Sequence, residues 1–209
     1  DELSDLHEFQ QRVDELRDQL DYDLVFRNSL SNRQVILGYY FQLLASEEDA
    51  SENGILPLSV FKKDDFSEES RILAQFAPGY NANLPMLQQV AVGGGHFNPW
   101  IDGDGVVRRV PLLIEYEEQY YESLALAMAR NVLGVDFIEP VFEEALGETD
   151  YPALESLRLG NNRVPVDKFI QALVPFRGGQ GSFTYVSATD VINGRVNKEV
   201  LKDAIVLVG

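Results

Sequence analysis

The acidic turn Asp102-Gly103-Asp104-Gly105, set between two apolar runs, constrains this chain more than any other stretch. The run Ala91 to Phe97, spaced by glycines, enters it. Arg108 and Arg109 leave it, followed by the apolar VPLLIEY. Asp-Gly between apolar runs is a strong hairpin signal, because glycine takes positive φ at no steric cost. The stretch therefore predicts strand, polar turn, strand, with the sole tryptophan, Trp100, just before the turn.

Around this hairpin the pattern alternates between helix and strand. Leu6, Phe9, Val13, Leu16 and Leu20 recur at three and four residues, which predicts a helix over 3–20 with Ser4 as its cap. Two readings of that stripe stay open, a helix lying on a sheet and a coiled-coil stalk. The seam is only about two heptads long, which favours the first. A short second helix is expected over Asp23–Ser31. QVILGYYFQ (34–42) reads as a strand buried on both faces. Ser46 to Ser70 reads as a surface loop with one short strand, and Pro85 opens a short helix to Gln89. Tyr120–Leu133 is expected to be a helix ended by Gly134, and 135–155 acidic and irregular. Leu157–Leu159 and Arg163–Pro165 flank a Gly-Asn-Asn hairpin turn. Ala172–Arg177 reads as a strand, Thr184–Asn193 as a loop and short helix stopped by Gly194, and Ala204–Val208 as a last buried strand. No repeat or linker divides the chain, so one domain over 1–209 is expected.

Composition narrows the function. In 209 residues, 34 acidic against 17 basic side chains give a net charge of -17. That balance opposes nucleic-acid binding and docking on an anionic membrane, both of which need clustered Lys and Arg. No cysteine is present, which excludes disulfides, thiol catalysis and zinc–thiolate sites. No run reaches the length of a membrane span. The chain starts at Asp1 without a methionine and stops directly after AIVLVG, so both ends read as cut from a longer, membrane-bound protein.

Chemistry is sparse. His7 falls on the polar side of a helix. His96 follows three glycines and reads as a satisfied structural residue or as a ligand contact. Two histidines without cysteine make a zinc or redox-metal site a poor expectation. Asp102 and Asp104 offer carboxylates to calcium, but the twelfth position from Asp102 is Leu113, where an EF-hand loop needs Glu. The glycine runs 93–95 and 178–181 match neither a phosphate loop nor a dinucleotide fingerprint. Ser182 and Ser187 lack a nucleophile-elbow context. No catalytic residue, metal or cofactor is expected.

The stretch GHFNPWIDGDGVVRRVPLLIEYEEQYYESLALAMA resembles the core of the second type of CHASE domain, the sensing extracellular domain associated with cyclases and histidine kinases. The matching positions are Gly95, Asn98, Asp102, Asp104, Gly105, Val106, Arg108, Pro111 and Leu112, then Ser123, Leu124 and Ala125. A second block agrees: Phe176-Arg177-Gly178, then Ser187 to Gly194, then Ile205 to Gly209. A weaker match is Val25-Phe26 and Leu30 before Val35 to Gly38. The strand–helix–strand unit with which the family usually begins, with its V-D-x-D-like and W-P-x-R-like runs, is not found.

The resemblance implies an α/β fold, a mixed central sheet with the hairpin around 102–105 and helices packed on its faces, lacking that first unit. It implies an extracytoplasmic sensor, on the periplasmic side of a bacterial inner membrane, within a transmembrane receptor. The expected output is an adenylate or guanylate cyclase. The alternatives are a histidine or Ser/Thr kinase and, ranked lower, a dimerisation module or a periplasmic hydrolase. Expected partners are an unknown small-molecule or protein signal and a second copy of the receptor, with the membrane met only through helices outside this chain. His96, Asn98, Trp100, Asp104, Arg108 and Arg109 are the expected ligand-binding residues. The bland reading of Arg108 is a carboxylate partner that braces the hairpin.

Overall fold

The computed structural model describes residues 2–66, 72–142 and 154–209. The chain falls into two compact units, Asp1–Val174 and Pro175–Gly209. The first opens with α1 (Glu2–Leu20), α2 (Tyr22–Leu30), β1 (Ile36–Phe41), β2 (Glu52–Asn53) and β3 (Phe61–Lys62). Then come β4 (Gln75–Phe76), β5 (Tyr80–Asn81), α3 (Pro85–Gln88), β6 (Gly93–His96), β7 (Trp100–Ile101) and β8 (Val107–Pro111). It closes with β9 (Leu113–Tyr116), β10 (Gln119–Glu122), α4 (Leu124–Leu133), β11 (Glu139–Phe142), β12 (Leu154–Leu159), β13 (Asn162–Pro165) and β14 (Gln171–Leu173).

The class is α/β as expected, but the strands form four small sheets rather than one central sheet. Their orders are β2-β5-β1-β6, β3-β10-β9-β4, β11-β12-β13 and β14-β8-β7. The chain leaves one sheet for another beside Pro99 and Pro111, residues without an N–H for a ladder. The hairpin forms as predicted, yet its first arm is β7, with Trp100 opposite Arg109 and Ile101 opposite Val107. The glycine run before it pairs elsewhere: β6 lies parallel to β1, Gly38 opposite Gly95 and Tyr39 opposite His96.

Local chemistry explains the ends of the helices. Asp21 caps α2 by accepting from the Leu24 amide at 3.0 Å. Ser123 Oγ accepts from the Leu126 amide at 3.3 Å and starts α4, which Gly134 ends at φ 63°. The predicted helix over 120–133 is thus four residues too long at its start. Tyr120 to Glu122 belong to β10, joined to β9 by a two-residue turn in which Glu117 and Glu118 take φ of 47° and 60°. Such a turn usually carries Asn or Gly. Two glutamates give no such signal, and the aromatic pair Tyr120-Tyr121 favours the strand.

Other boundaries shift for physical reasons. α1 begins at Glu2, so Ser4 lies inside its first turn and not at its cap. The helix packs against α2. Its stripe Leu6, Phe9, Val13, Leu16 and Leu20 is 42% to 69% exposed, so it does not lie on a sheet. β1 is not buried on both faces, since Tyr40 is 44% exposed between buried Tyr39 and Phe41. The doubly buried strand is β9. Leu113 joins a core of Leu154, Leu157, Leu159, Ile138 and Ile170, while Ile114 joins a core of Tyr39, Phe41, Ala77 and Tyr121. Within 135–155, residues 139–142 and 154–155 are strand; 143–153 lie outside the described residues, as do 67–71. β14 stops at Leu173.

The second unit holds α5 (Ala188–Ile192), capped by Asn193 and followed by Gly194 at φ 65°, as the sequence predicts. Arg195 pairs with Asp190 at 3.0 Å. Residues 204–208 are not a buried strand: they pair with no strand among the described residues, and Ile205 to Val208 are exposed.

Candidate functional site

The hairpin is a closed electrostatic frame. Arg108 donates from Nη1 to Asp102 and from Nη2 to Asp104, at 2.9 and 2.7 Å. Arg109 donates to Asp102 at 3.1 Å and lies 3.7 Å from Asp167. Hydrogen bonds from Arg108 and the Val106 amide hold the Asp104 carboxyl below the usual carboxylate range. Hydrogen bonds to Asp104 and Asp102 in turn raise the Arg108 guanidinium above its ordinary range. Both aspartates therefore hold arginines, and no group of three or more His, Asp or Glu gathers as a metal site among the described residues. Trp100 stacks on Phe169, with ring centroids 6.2 Å apart.

Asn98 and His96 are buried. The Asn98 side chain accepts from the Phe41 amide at 2.9 Å and donates to the Phe41 carbonyl at 2.8 Å. It thereby extends the β1–β6 pairing by one residue after the β6 backbone has turned away. His96 is fully enclosed beside the Phe41 ring, and neither ring nitrogen has a hydrogen-bond partner among the described residues. Burial lowers its pKa to about 3, so the ring is neutral. The sequence leaves His96 open between a satisfied structural residue and a ligand contact; among the described residues its ring is unsatisfied. The buried Tyr39 hydroxyl, opposite it in register, is likewise unpartnered among the described residues.

The three glycines of 93–95 have three different surroundings. A Cβ on Gly95 would lie 2.5 Å from the Leu124 nitrogen, so the start of α4 sits against bare backbone. One on Gly94 would lie 3.1 Å from Gln88 Oε1. One on Gly93 would meet nothing within 4 Å among the described residues. The open space beside Gly93 is a cleft of about 630 Å³, walled by residues 55–60, the end of α3, residues 91–94 and residues 136–138. A smaller cavity of about 220 Å³ adjoins it, and the two share Val92, Gly93, Arg130 and Asp136.

An ion pair between a half-buried arginine and a buried glutamate forms part of this cleft. Arg130 donates from Nη2 and Nε to Glu122 at 2.6 and 3.2 Å and from Nη1 to the Asp136 carbonyl at 3.1 Å. Glu122 is 5% exposed, and the bond to it raises Arg130 further above its ordinary range. Gln88, also buried, accepts from Asn83 at 3.4 Å through Oε1. None of the six sequence-predicted residues lines the cleft. Sequence reading missed it because segments far apart in the chain meet there. The available signals were Gly93, an open glycine in a strand, and Arg130, a cation on a largely apolar helix.

Among the described residues no helix is long and apolar enough to cross a membrane. Comparison with curated proteins and with solved structures gave no match. A family model does match, over residues 5–209, and its family is one of extracellular sensory domains found in cyclase and kinase receptors. By that match the chain belongs to the CHASE2 domain family.

Proposed function

We propose that this chain is the ligand-sensing domain of a bacterial transmembrane receptor, acting on the periplasmic side of the inner membrane, with an adenylate or guanylate cyclase as output. The family match over residues 5–209 carries the reading. The cleft beside Gly93 is favoured as the ligand site, because each hairpin arginine is already held by aspartate. A ligand shifts the output only by binding one conformation of the domain better than another. The cleft suits that role, since its walls come from β6, from α4 and from two loops. In the receptor the domain acts as a dimer. The exposed stripe of α1 supports this, because its alternating three- and four-residue spacing matches a coiled-coil seam.

The test is the parent receptor. Membrane helices flanking this domain, a cyclase beyond the second, and a reporter enzyme that works only outside the cytoplasm, active when fused after residue 209, are the expected results. A parent chain without a membrane helix, or a reporter active only as a cytoplasmic fusion, overturns the reading. A kinase in place of the cyclase keeps the sensor and replaces its output.

A further inference from the structure

We propose that the cleft takes a small organic cation, an ammonium group on an alkyl or arylalkyl body. The inference deepens the sensor reading and rests on it for its signalling meaning. Its volume of about 630 Å³ lies within the usual range for small-molecule sites. Leu56, Val60 and Ile138 give it hydrocarbon walls, and the more exposed Leu58, Val92 and Phe137 also line it.

The charge balance of the lining selects the head group. Among the described residues Arg130 is the only cation lining the cleft, and Glu122 neutralises it through two hydrogen bonds. An anion would have to compete with that buried carboxylate. Asp136 also lines the cleft and forms no ion pair of its own among the described residues. Two carboxylates against one guanidinium leave one negative charge on the lining, carried by the exposed Asp136 and partly screened by solvent. Phe137, next to Asp136, adds an aromatic face of the kind that attracts ammonium groups. The net charge of -17 on the whole chain concentrates cations around it and repels anions. Gly93 marks the room for the ligand body, because a Cβ there meets nothing within 4 Å.

The probes are phenethylamine, 2-phenylethanol and 3-phenylpropionate, which share a ring and differ in head charge. Each is titrated into the 209-residue chain while the amide resonances of Gly93, Asp136 and Phe137 are followed. The amine is expected to saturate these shifts and to bind roughly tenfold more tightly than the alcohol, with the carboxylate weaker still. Asp136→Asn should reduce the amine to the affinity of the alcohol. Gly93→Val should abolish binding while leaving the unfolding midpoint in place. No saturable amine shift up to about 10 mM, equal affinity for amine and carboxylate, or unchanged binding in Gly93→Val overturns the proposal. Amine binding with no change in output of the full receptor supports the site and removes the sensing role. An output that answers another signal, without amine binding, leaves the sensing role and removes the ligand class.

Discussion

Lowering the pH from 7 to 5 should destabilise the first unit through one residue, His96. Its ring is enclosed, unpartnered among the described residues and neutral, with a pKa lowered to about 3 by burial. In the unfolded chain the same ring titrates near 6.5. Below that value the unfolded state binds one more proton than the folded state, so stability is full above pH 6.5 and is lost as pH falls toward 3. The limiting slope is about 1.4 kcal/mol per pH unit, which integrates to about 2 kcal/mol between pH 7 and 5. The assay is urea unfolding at constant ionic strength, followed by the fluorescence of Trp100, the sole tryptophan and a reporter of the first unit. His96→Leu, similar in volume and without ring nitrogens, removes this contribution. Glu115, raised by burial, acts in the opposite sense in both proteins and cancels in the difference. Between pH 7 and pH 5 the wild type should therefore lose about 2 kcal/mol more stability than His96→Leu loses. Parallel pH profiles would refute a neutral, desolvated His96.

Three further outcomes follow from contacts around β6 and the hairpin. Gly95→Ala drives a methyl group into the start of α4 and should cost about 1–3 kcal/mol, whereas Gly93→Ala faces open space and should be neutral or slightly stabilising; equal urea midpoints for the two would contradict the packing. Asn98→Ala strands the amide and carbonyl of Phe41 and should cost about 2–4 kcal/mol in the same assay, and a loss below about 0.5 kcal/mol would show that water replaces the side chain. Arg108→Ala removes exposed ion pairs, so it should lower the midpoint slightly at low salt, less at high salt, and leave receptor output unchanged in folded protein. Lost signalling without lost stability would give Arg108 a ligand role instead.

What the sequence made legible was local. The Asp-Gly turn, the Ser123 and Gly134 ends of α4, the Gly160 turn and the Gly194 stop each follow from one or two residues whose conformational needs are known. The parallel pairing of β1 with β6 was hidden, because it joins strands more than fifty residues apart and a two-faced apolar run does not name its partner. The Glu117-Glu118 turn was hidden for the opposite reason: its residues are untypical of the conformation they adopt. Asn98 was visible as a residue of interest, but nothing local says that its amide would serve another strand's backbone. The cleft was the least legible, since Gly93, Arg130 and Asp136 become neighbours only once β6, α4 and the loop after it are assembled.

The Asn98 clamp also bears on solubility. On one side Phe41 faces Tyr80 of β5, and on the other its amide and carbonyl are both taken by Asn98. Among the described residues, Phe41 at the end of β1 therefore offers no free backbone donor or acceptor to a strand from another molecule. Such an open edge, beside the aromatic run Tyr39-Tyr40-Phe41, would be a template for intermolecular sheet growth. A single side-chain amide, acting as a substitute for one residue of strand, closes it.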